Sequence, residues 1–522
     1  MINIKFYNLN NRFNSRISKT PGFAIYFILF IVCFFTYFKI FDGYKSDFRP
    51  QGVHFWAQAD RSSIALNYYD NGLNFFVPQT NYLEFSNGKT GVEFPIVQYI
   101  SALVTKISGN RNNIFLIYRS ITFLILVIGI FFLSKTIKLH GGNGFQQVLI
   151  PVFYLFSPIL LFYGFNLLPD IPAFSFILIS FYFFEKHRLK IHFNSIFSAF
   201  IWSCFATLLK LTSAIFPVAY FIWFLADSIF VEKQYSKTLI LKVAGVFIAL
   251  FGITVSINFL FTVYANSIYK STVFLSTSRH INQWTDFSDI WENVVCWHRE
   301  YFSETQYWIV VAAFITSLYT PYLQKKVIIL KLILILGFVF FILLMGKQLM
   351  HHDYYAICTI IPVILILSID GLMLLTRGCL GSLLLLYFVN SIYNSNTKQS
   401  ERRIAEVYNI PCREVWDYRG YMVEAAKWFE QNKMSKKSKV FVLYDYPLNT
   451  PLVYLDRKGM VIDHYKMKDK KLVNMWFDLH KPHYIVIPSQ WKSKLYIDNA
   501  EISFKSSLIF EGKQVLIFKV KY

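Results

Sequence analysis

Four polar groups interrupt the long apolar stretches of this sequence, and each is of a type that moves protons or holds phosphate. Asp60 ends the run Trp56-Ala57-Gln58-Ala59-Asp60 and opens an amphipathic stretch through Ile64, Ala65, Tyr68 and Tyr69. Such a carboxylate can act as a general base on a hydroxyl acceptor within hydrogen-bond reach. Its bland alternative is a helix-start acid favoured by the helix dipole and paired with Arg61. Asp170 sits in the tight turn Asn166-Leu167-Leu168-Pro169-Asp170-Ile171-Pro172. It reads either as a turn acid at a helix start or as a second carboxylate that positions a metal, an acceptor or a basic partner. Lys210 breaks a nearly continuous apolar run, where a charge needs a partner or an interface and is a functional candidate by default. A snorkelling lysine is the alternative. The turn Lys347-Gln348-Leu349-Met350-His351-His352-Asp353-Tyr354-Tyr355 is the densest polar cluster among the apolar segments. Cations and tyrosine hydroxyls at a helix start suit a phosphate leaving group. Its two histidines and aspartate are weak metal ligands, because neighbours on a helix point apart.

The elements that must position these groups are membrane helices. The chain is 55% hydrophobic and only 16% charged, against about a quarter charged in soluble domains. Apolar blocks long enough to cross a hydrocarbon core fall at 22–41, 114–134, 148–164, 171–185, 195–209, 212–229, 239–262, 307–323, 327–345, 355–370 and 378–393. The formal net charge of +21 is carried by short basic loops on one side, as the positive-inside rule requires. No nucleic-acid motif accompanies it. With the N-terminus cytoplasmic, Lys135/Lys138, the Glu185–Lys190 segment, Lys233/Lys237, Lys325/Lys326 and Arg377 lie inside. All four candidate groups then fall on the outer face. The six cysteines are scattered with no metal-ligand spacing, and only Cys296 and Cys412 lie outside the apolar blocks.

The expected fold is an α-helical polytopic membrane protein of about 11 spans, with a large first outer loop (42–113) and a small C-terminal α/β domain. The division is 1–393 for the transmembrane part and 394–522 for the extracytoplasmic domain. Four β-rich runs are expected in the latter, at 439–447, 452–460, 483–488 and 514–520. The first loop is long for a connection between membrane helices, and long loops tend to be functional. It carries a second acid beside a proline, Glu93-Phe94-Pro95. A loop at 263–306, rich in tryptophan, is expected to hold an interfacial helix.

The order and sidedness of these motifs resemble the polytopic glycosyltransferases of the GT-C fold. The likeness is to the branch of dolichyl-phosphate-mannose protein mannosyltransferases and aminoarabinose lipid A transferases. It is carried by WAQAD (Trp56 to Asp60), the run from Gly91 to Gly109, LPDIPA (Leu168 to Ala173), LKLT (Leu209 to Thr212), HDYY (His352 to Tyr355) and YLDRKGM (Tyr454 to Met460). The resemblance implies a polyprenyl-phosphate sugar donor, a lipid, glycan or protein acceptor, and inverting transfer on the outer face of the cytoplasmic membrane. It implies Asp60 as base and Asp170 as second acid. Relatives carry Lys-Pro-Pro where this chain has Glu93-Phe94-Pro95. The donor-phosphate role therefore passes to Lys210, Lys347, His351, His352 and Tyr355, with Arg61 and Glu93 supporting the loop or acceptor. No cofactor is required, though a divalent metal would also fit. A transporter of lipid-linked glycans is the competing reading. Transporters place substrate near the midplane between repeated halves, and this sequence has no internal repeat.

Overall fold

The computed structural model describes residues 22–190, 193–231, 235–274, 279–318, 325–349, 352–377, 379–404, 409–410, 413–414, 419–493 and 506–522. The chain divides into two compact units. One comprises Met1–Ser46, Arg119–Asn258 and Thr277–Glu401, the other Asp47–Tyr118, Phe259–Ser276 and Arg402–Tyr522.

The first unit is a bundle of apolar helices, with a helix at each of the expected spans. Gly22–Tyr44, Arg111–Leu139, Leu211–Phe230, Lys237–Tyr269 and Lys326–Leu349 are each long and apolar enough to cross a membrane among the described residues. Gly144–Leu155 and Pro158–Gly164 make a sixth span if taken together across their 76° bend. Ser157 caps the second of these helices and Pro158 begins it, so the break follows from N-cap and N1 preferences. The other helices are shorter or carry more charge, which is why length and composition alone do not reproduce a count of 11. The protein is a multi-pass membrane protein. Within lipid, helices associate by close packing rather than by hydrophobic expulsion. Gly371, on Ile360–Leu375, shows this: a Cβ there would lie 1.8 Å from the Ala313 carbonyl oxygen of Glu304–Leu318.

The segment Glu185–Lys190 was expected as a basic inner loop. It is instead the last turn of the Asp170–Lys190 helix, and Glu185, His187 and Arg188 are buried. Glu185 accepts from Arg188 and lies 2.7 Å from His140 Nε2, while Asp370 lies 3.3 Å from His140 and 3.2 Å from Lys331. Buried charges persist only when paired in this way. The 263–306 loop holds the helix Trp284–Tyr301, with Trp284 and Trp291 exposed. Cys33, Cys204 and Cys358 are buried free thiols. Any pairing of Cys296 with Cys412 lies outside the described residues.

The second unit is built on a sheet. A two-residue pair, β1 (Asn409–Ile410) and β2 (Arg413–Glu414), precedes five strands: β3 (Val440–Leu443), β4 (Gly459–Ile462), β5 (Tyr484–Pro488), β6 (Ser506–Glu511) and β7 (Val515–Val520). Their order is β4-β3-β5-β7-β6, with β4, β3 and β5 parallel and the other pairings antiparallel. In register, Val442 stands between Val461 and Val486. β3, β4 and β5 are buried throughout, as parallel strands covered on both faces must be. Three of the four expected β runs hold a strand. The run 452–460 departs: it contains most of the short helix Thr450–Tyr454, and β4 begins only at Gly459. Pro451 at the start of that helix favours the helical turn, and periodicity cannot separate helix from strand in so short an apolar run.

The first long loop, expected with the transmembrane part, clusters with this sheet. It supplies the helices Phe55–Asp70 and Ile96–Ser108, packed through Ile64, Tyr68, Val92 and Ala102. Leu83 N–H donates to the Gly459 carbonyl at 2.8 Å and Gly459 N–H donates to the Asn81 carbonyl at 3.0 Å, so loop residues extend the β4 edge. Covering an exposed sheet edge in this way also protects it from pairing with other chains.

Candidate functional site

Asp60 lies in the second turn of Phe55–Asp70, and no acid occupies the first turn. The helix-dipole explanation therefore does not account for it, since that effect fades within a turn. Arg61, whose charge still acts on Asp60, turns its guanidinium to another acid. The Arg61 guanidinium donates to Glu93 Oε1 through Nε at 2.9 Å and Nη2 at 2.7 Å, and its Cζ lies 4.8 Å from the centre of the Phe274 ring. Asp60 Oδ1 accepts from Asn449 Nδ2 at 2.9 Å. Asn449 is fixed in turn, since its Oδ1 accepts from Tyr82 N–H at 3.0 Å. Burial pushes the Asp60 carboxyl up to about 6, against the lowering effects of Arg61 and the Asn449 hydrogen bond. A half-buried carboxylate tuned to that value, oriented by a neutral amide, has the properties of a general base near neutral pH.

Gly91 sets the seat for Glu93. Its N–H donates to Asn266 Oδ1 at 2.7 Å, Val92 N–H donates to the Phe261 carbonyl at 2.8 Å, and a Cβ on Gly91 would stand 2.5 Å from the Thr262 carbonyl oxygen. Gly91→Ala is expected to force these strands of chain apart. Differential scanning fluorimetry should then record a destabilisation of about 1–3 kcal/mol. An unchanged melting temperature would mean the contact relaxes freely.

In the other unit, Asp170 is 1% exposed and its Oδ1 lies 2.9 Å from Lys210 Nζ. Lys210 is itself 7% exposed and its ammonium stands over Tyr355 at 3.9 Å and Tyr354 at 4.8 Å from the ring centres. The short 3₁₀ helix Asp353–Cys358 presents these rings. It is anchored by buried Asp353, which accepts from Tyr163 Oη at 2.6 Å, and by Cys358 Sγ, which donates to the Asp170 carbonyl at 3.2 Å. The His352 ring lies 5.2 Å from that of Tyr354 and 6.0 Å from that of Tyr355. Asp170, Lys210, Tyr355 and His352 are thus brought together, with Asp170 holding a basic partner. Lys347 is engaged by Asp286, 2.9 Å away on the Trp284–Tyr301 helix. His351 lies outside the described residues. Among the described residues, no group of three or more His, Cys, Asp or Glu side chains is arranged to hold a metal.

Immediately after Lys210, an apolar groove of about 710 Å³ runs between the Ile215–Ala226 and Lys325–Leu349 helices. Leu211, Ile215, Leu336, Phe340 and Leu344 line it. A buried cation on the residue just before the first lining residue of such a groove suits an amphiphile with an anionic head and a hydrocarbon tail.

Sequence reasoning singled out Asp60 as an acid early in the long first loop, Asp170 as an acid in a tight turn between spans, and Lys210 as a charge that interrupts an apolar run. It missed Asn449, Tyr163 and the ion pair between Arg61 and Glu93. Asn449-Thr450-Pro451 carries a helix-start signal, but nothing local assigns its amide to a carboxylate in the first loop.

Residues 92–257 match the family model of dolichyl-phosphate-mannose-protein mannosyltransferases. No curated protein matches this chain. Among solved structures, ArnT from Cupriavidus metallidurans bound to undecaprenyl phosphate superposes with a TM-score of 0.61 at 10% identity, covering 95% of this chain and 98% of ArnT. The mycobacterial arabinofuranosyltransferase AftD superposes at 0.54 with 12% identity, over 97% of this chain and 40% of AftD. The oligosaccharyltransferase of Archaeoglobus fulgidus, in complex with zinc and sulfate, superposes at 0.53 with 11% identity, over 86% of this chain and 66% of its own.

Proposed function

We propose that this chain, which has the GT-C fold of polytopic membrane glycosyltransferases, transfers a sugar from a polyprenyl-phosphate donor to a hydroxyl acceptor. The observation that carries the proposal is the buried Lys210 ammonium, paired with Asp170 and one residue ahead of Leu211, the first lining residue of an apolar groove. The fold relative ArnT binds a molecule of that shape and charge, undecaprenyl phosphate.

In this reading the acceptor oxygen attacks the anomeric carbon while the bond from that carbon to the phosphate oxygen breaks, with inversion. Asp60 takes the acceptor proton. Lys210 receives the charge that develops on the departing phosphate, a stabilisation worth most where water is excluded. Tyr354 and Tyr355 line the cation with His352 beside their rings, and Arg61 with Glu93 stiffens the helix that bears the base. The lipid itself supplies the leaving group, so no nucleotide enters. Short basic loops on one side, by the positive-inside rule, support a place for this chemistry on the outer face of the cytoplasmic membrane.

The test incubates purified protein with a series of polyprenyl-phosphate sugars and follows release of polyprenyl phosphate. Release with at least one donor is expected, and silence with every donor would sink the reading. A second measurement probes the base. Asn449→Leu removes a hydrogen bond that favours the ionised form of Asp60, so the acidic limb of the pH–rate profile should move to higher pH. A limb that stays in place, or moves lower, would detach Asn449 from the base.

A further inference from the structure

The carboxyl edge of the sheet carries a second cluster that the transfer chemistry leaves unused. From β3 the chain leads through Thr450–Tyr454 to β4 on one side. β5 lies on the other side of β3 and leads outward to β6 and β7. The loops leaving β3 and β5 therefore diverge, and in open α/β sheets the crevice at such a switch point is where ligands bind.

Aromatic side chains fill that position. After β3 come Tyr444 and Tyr446, after β4 His464 and Tyr465, and after β5 Trp491. Tyr444 and Trp491 lie nearly parallel, 18° apart with ring centres at 5.7 Å, and His464 lies 15° from Trp491 at 6.5 Å. Tyr465 continues the series, 4.1 Å from His464. Tyr446 turns edge-on to His464 at 85° and shares a 2.9 Å hydrogen bond with its Nδ1.

Tyr444 and Trp491 also pack into the core of the sheet, but the outer rings of the series do not. Tyr446 is 53% and Tyr465 66% exposed. Tyr444 holds φ at 64°, a left-handed conformation that a bulky side chain adopts only when its surroundings enforce it, as they commonly do at functional sites. The turn is pinned from below by buried Asp445, which accepts from Tyr446 N–H at 2.8 Å and from the Tyr421 hydroxyl. Asp463, after β4, is engaged by the N–H groups of Tyr465 and Lys466 and by the Lys466 ammonium.

Ring faces edged with hydroxyl and imidazole groups, and with the local carboxylates already satisfied, match a molecule with flat C–H faces and a rim of hydroxyls. That is the chemistry of a pyranose glycan. We infer that the carboxyl edge of β4, β3 and β5 binds glycan chains through Tyr446, His464, Tyr465 and Trp491, and so selects a saccharide as the acceptor. As an acceptor site the inference rests on the transferase reading, and its location fits: Asn449, the partner of Asp60, leaves the same end of β3.

The test uses the full-length protein in detergent on an array of hexose oligosaccharides, followed by calorimetric titration with the best binder. The parent is expected to bind at least one oligosaccharide. The exposed double variant Tyr446→Ala/Tyr465→Ala should weaken that binding by about tenfold or more, and Tyr465→Phe, which keeps the ring, should stay close to the parent. Undecaprenyl phosphate is titrated into the same samples to show that each variant is folded. A parent that binds undecaprenyl phosphate but no oligosaccharide overturns the inference. So does a double variant that binds oligosaccharide as the parent does. A parent that binds oligosaccharide yet releases polyprenyl phosphate from no donor supports the glycan site and removes the transferase reading alone.

Discussion

Asp60→Asn should lower turnover by about 10²–10⁴-fold, the range over which a positioned general base contributes, while the protein stays folded. The asparagine keeps the shape and can still accept from Asn449 Nδ2. What it loses is the capacity to take a proton. The parent's pH dependence follows from the same group. Its pKa is raised to about 6, chiefly by burial, and the base works only when ionised. The rate at limiting substrate should therefore rise with pH through about 6 and level off above it. The stability sign runs the other way. A carboxyl whose folded pKa is raised stabilises the fold fully below its unfolded value and loses that contribution as pH rises through the folded one. At pH 7–8 the Asn variant should melt no lower than the parent. Full turnover in the variant, or a rate with no acidic limb, would remove Asp60 as base.

Lys210→Met should be the most damaging single substitution to the helical unit. Its partner Asp170 is 1% exposed, and removing the ammonium strands a buried carboxylate. Breaking a buried pair from one side costs about 3–5 kcal/mol, whereas replacing both partners by neutral groups can be close to neutral. The double variant Lys210→Met/Asp170→Asn should thus recover much of the melting temperature. It should not recover donor binding, because the cation is still missing. That split separates a phosphate ligand from a purely structural pair: a double variant that regains both stability and turnover would leave Lys210 with a structural role only.

Much of this was legible from sequence because a membrane imposes strict length and polarity rules. Helices stand where apolar blocks were long enough, Asp170 drew attention as an acid in a tight turn between spans, and Lys210 because charge is costly there. Of the alternatives open for Asp170 (a turn acid, or the holder of a metal, an acceptor or a basic partner), the structure places Lys210 beside it. What sequence could not supply was the pairing of distant polar groups. Arg61 seemed a partner for its neighbour Asp60 and instead reaches Glu93. Lys347 seemed part of the phosphate cluster and instead meets Asp286. In the sheet, LVYLDRKGM looked like a strand because its apolar residues are few and adjacent. The Asn449-Thr450-Pro451 start that turns it into a helix also brings the amide to Asp60.

Asp60 and Asn449 stand 389 positions apart in the chain. A ribosome must therefore complete most of the polypeptide before the proton acceptor gains the amide that orients it. On the proposed reading, the amide that orients the base joins it only when the chain is nearly complete.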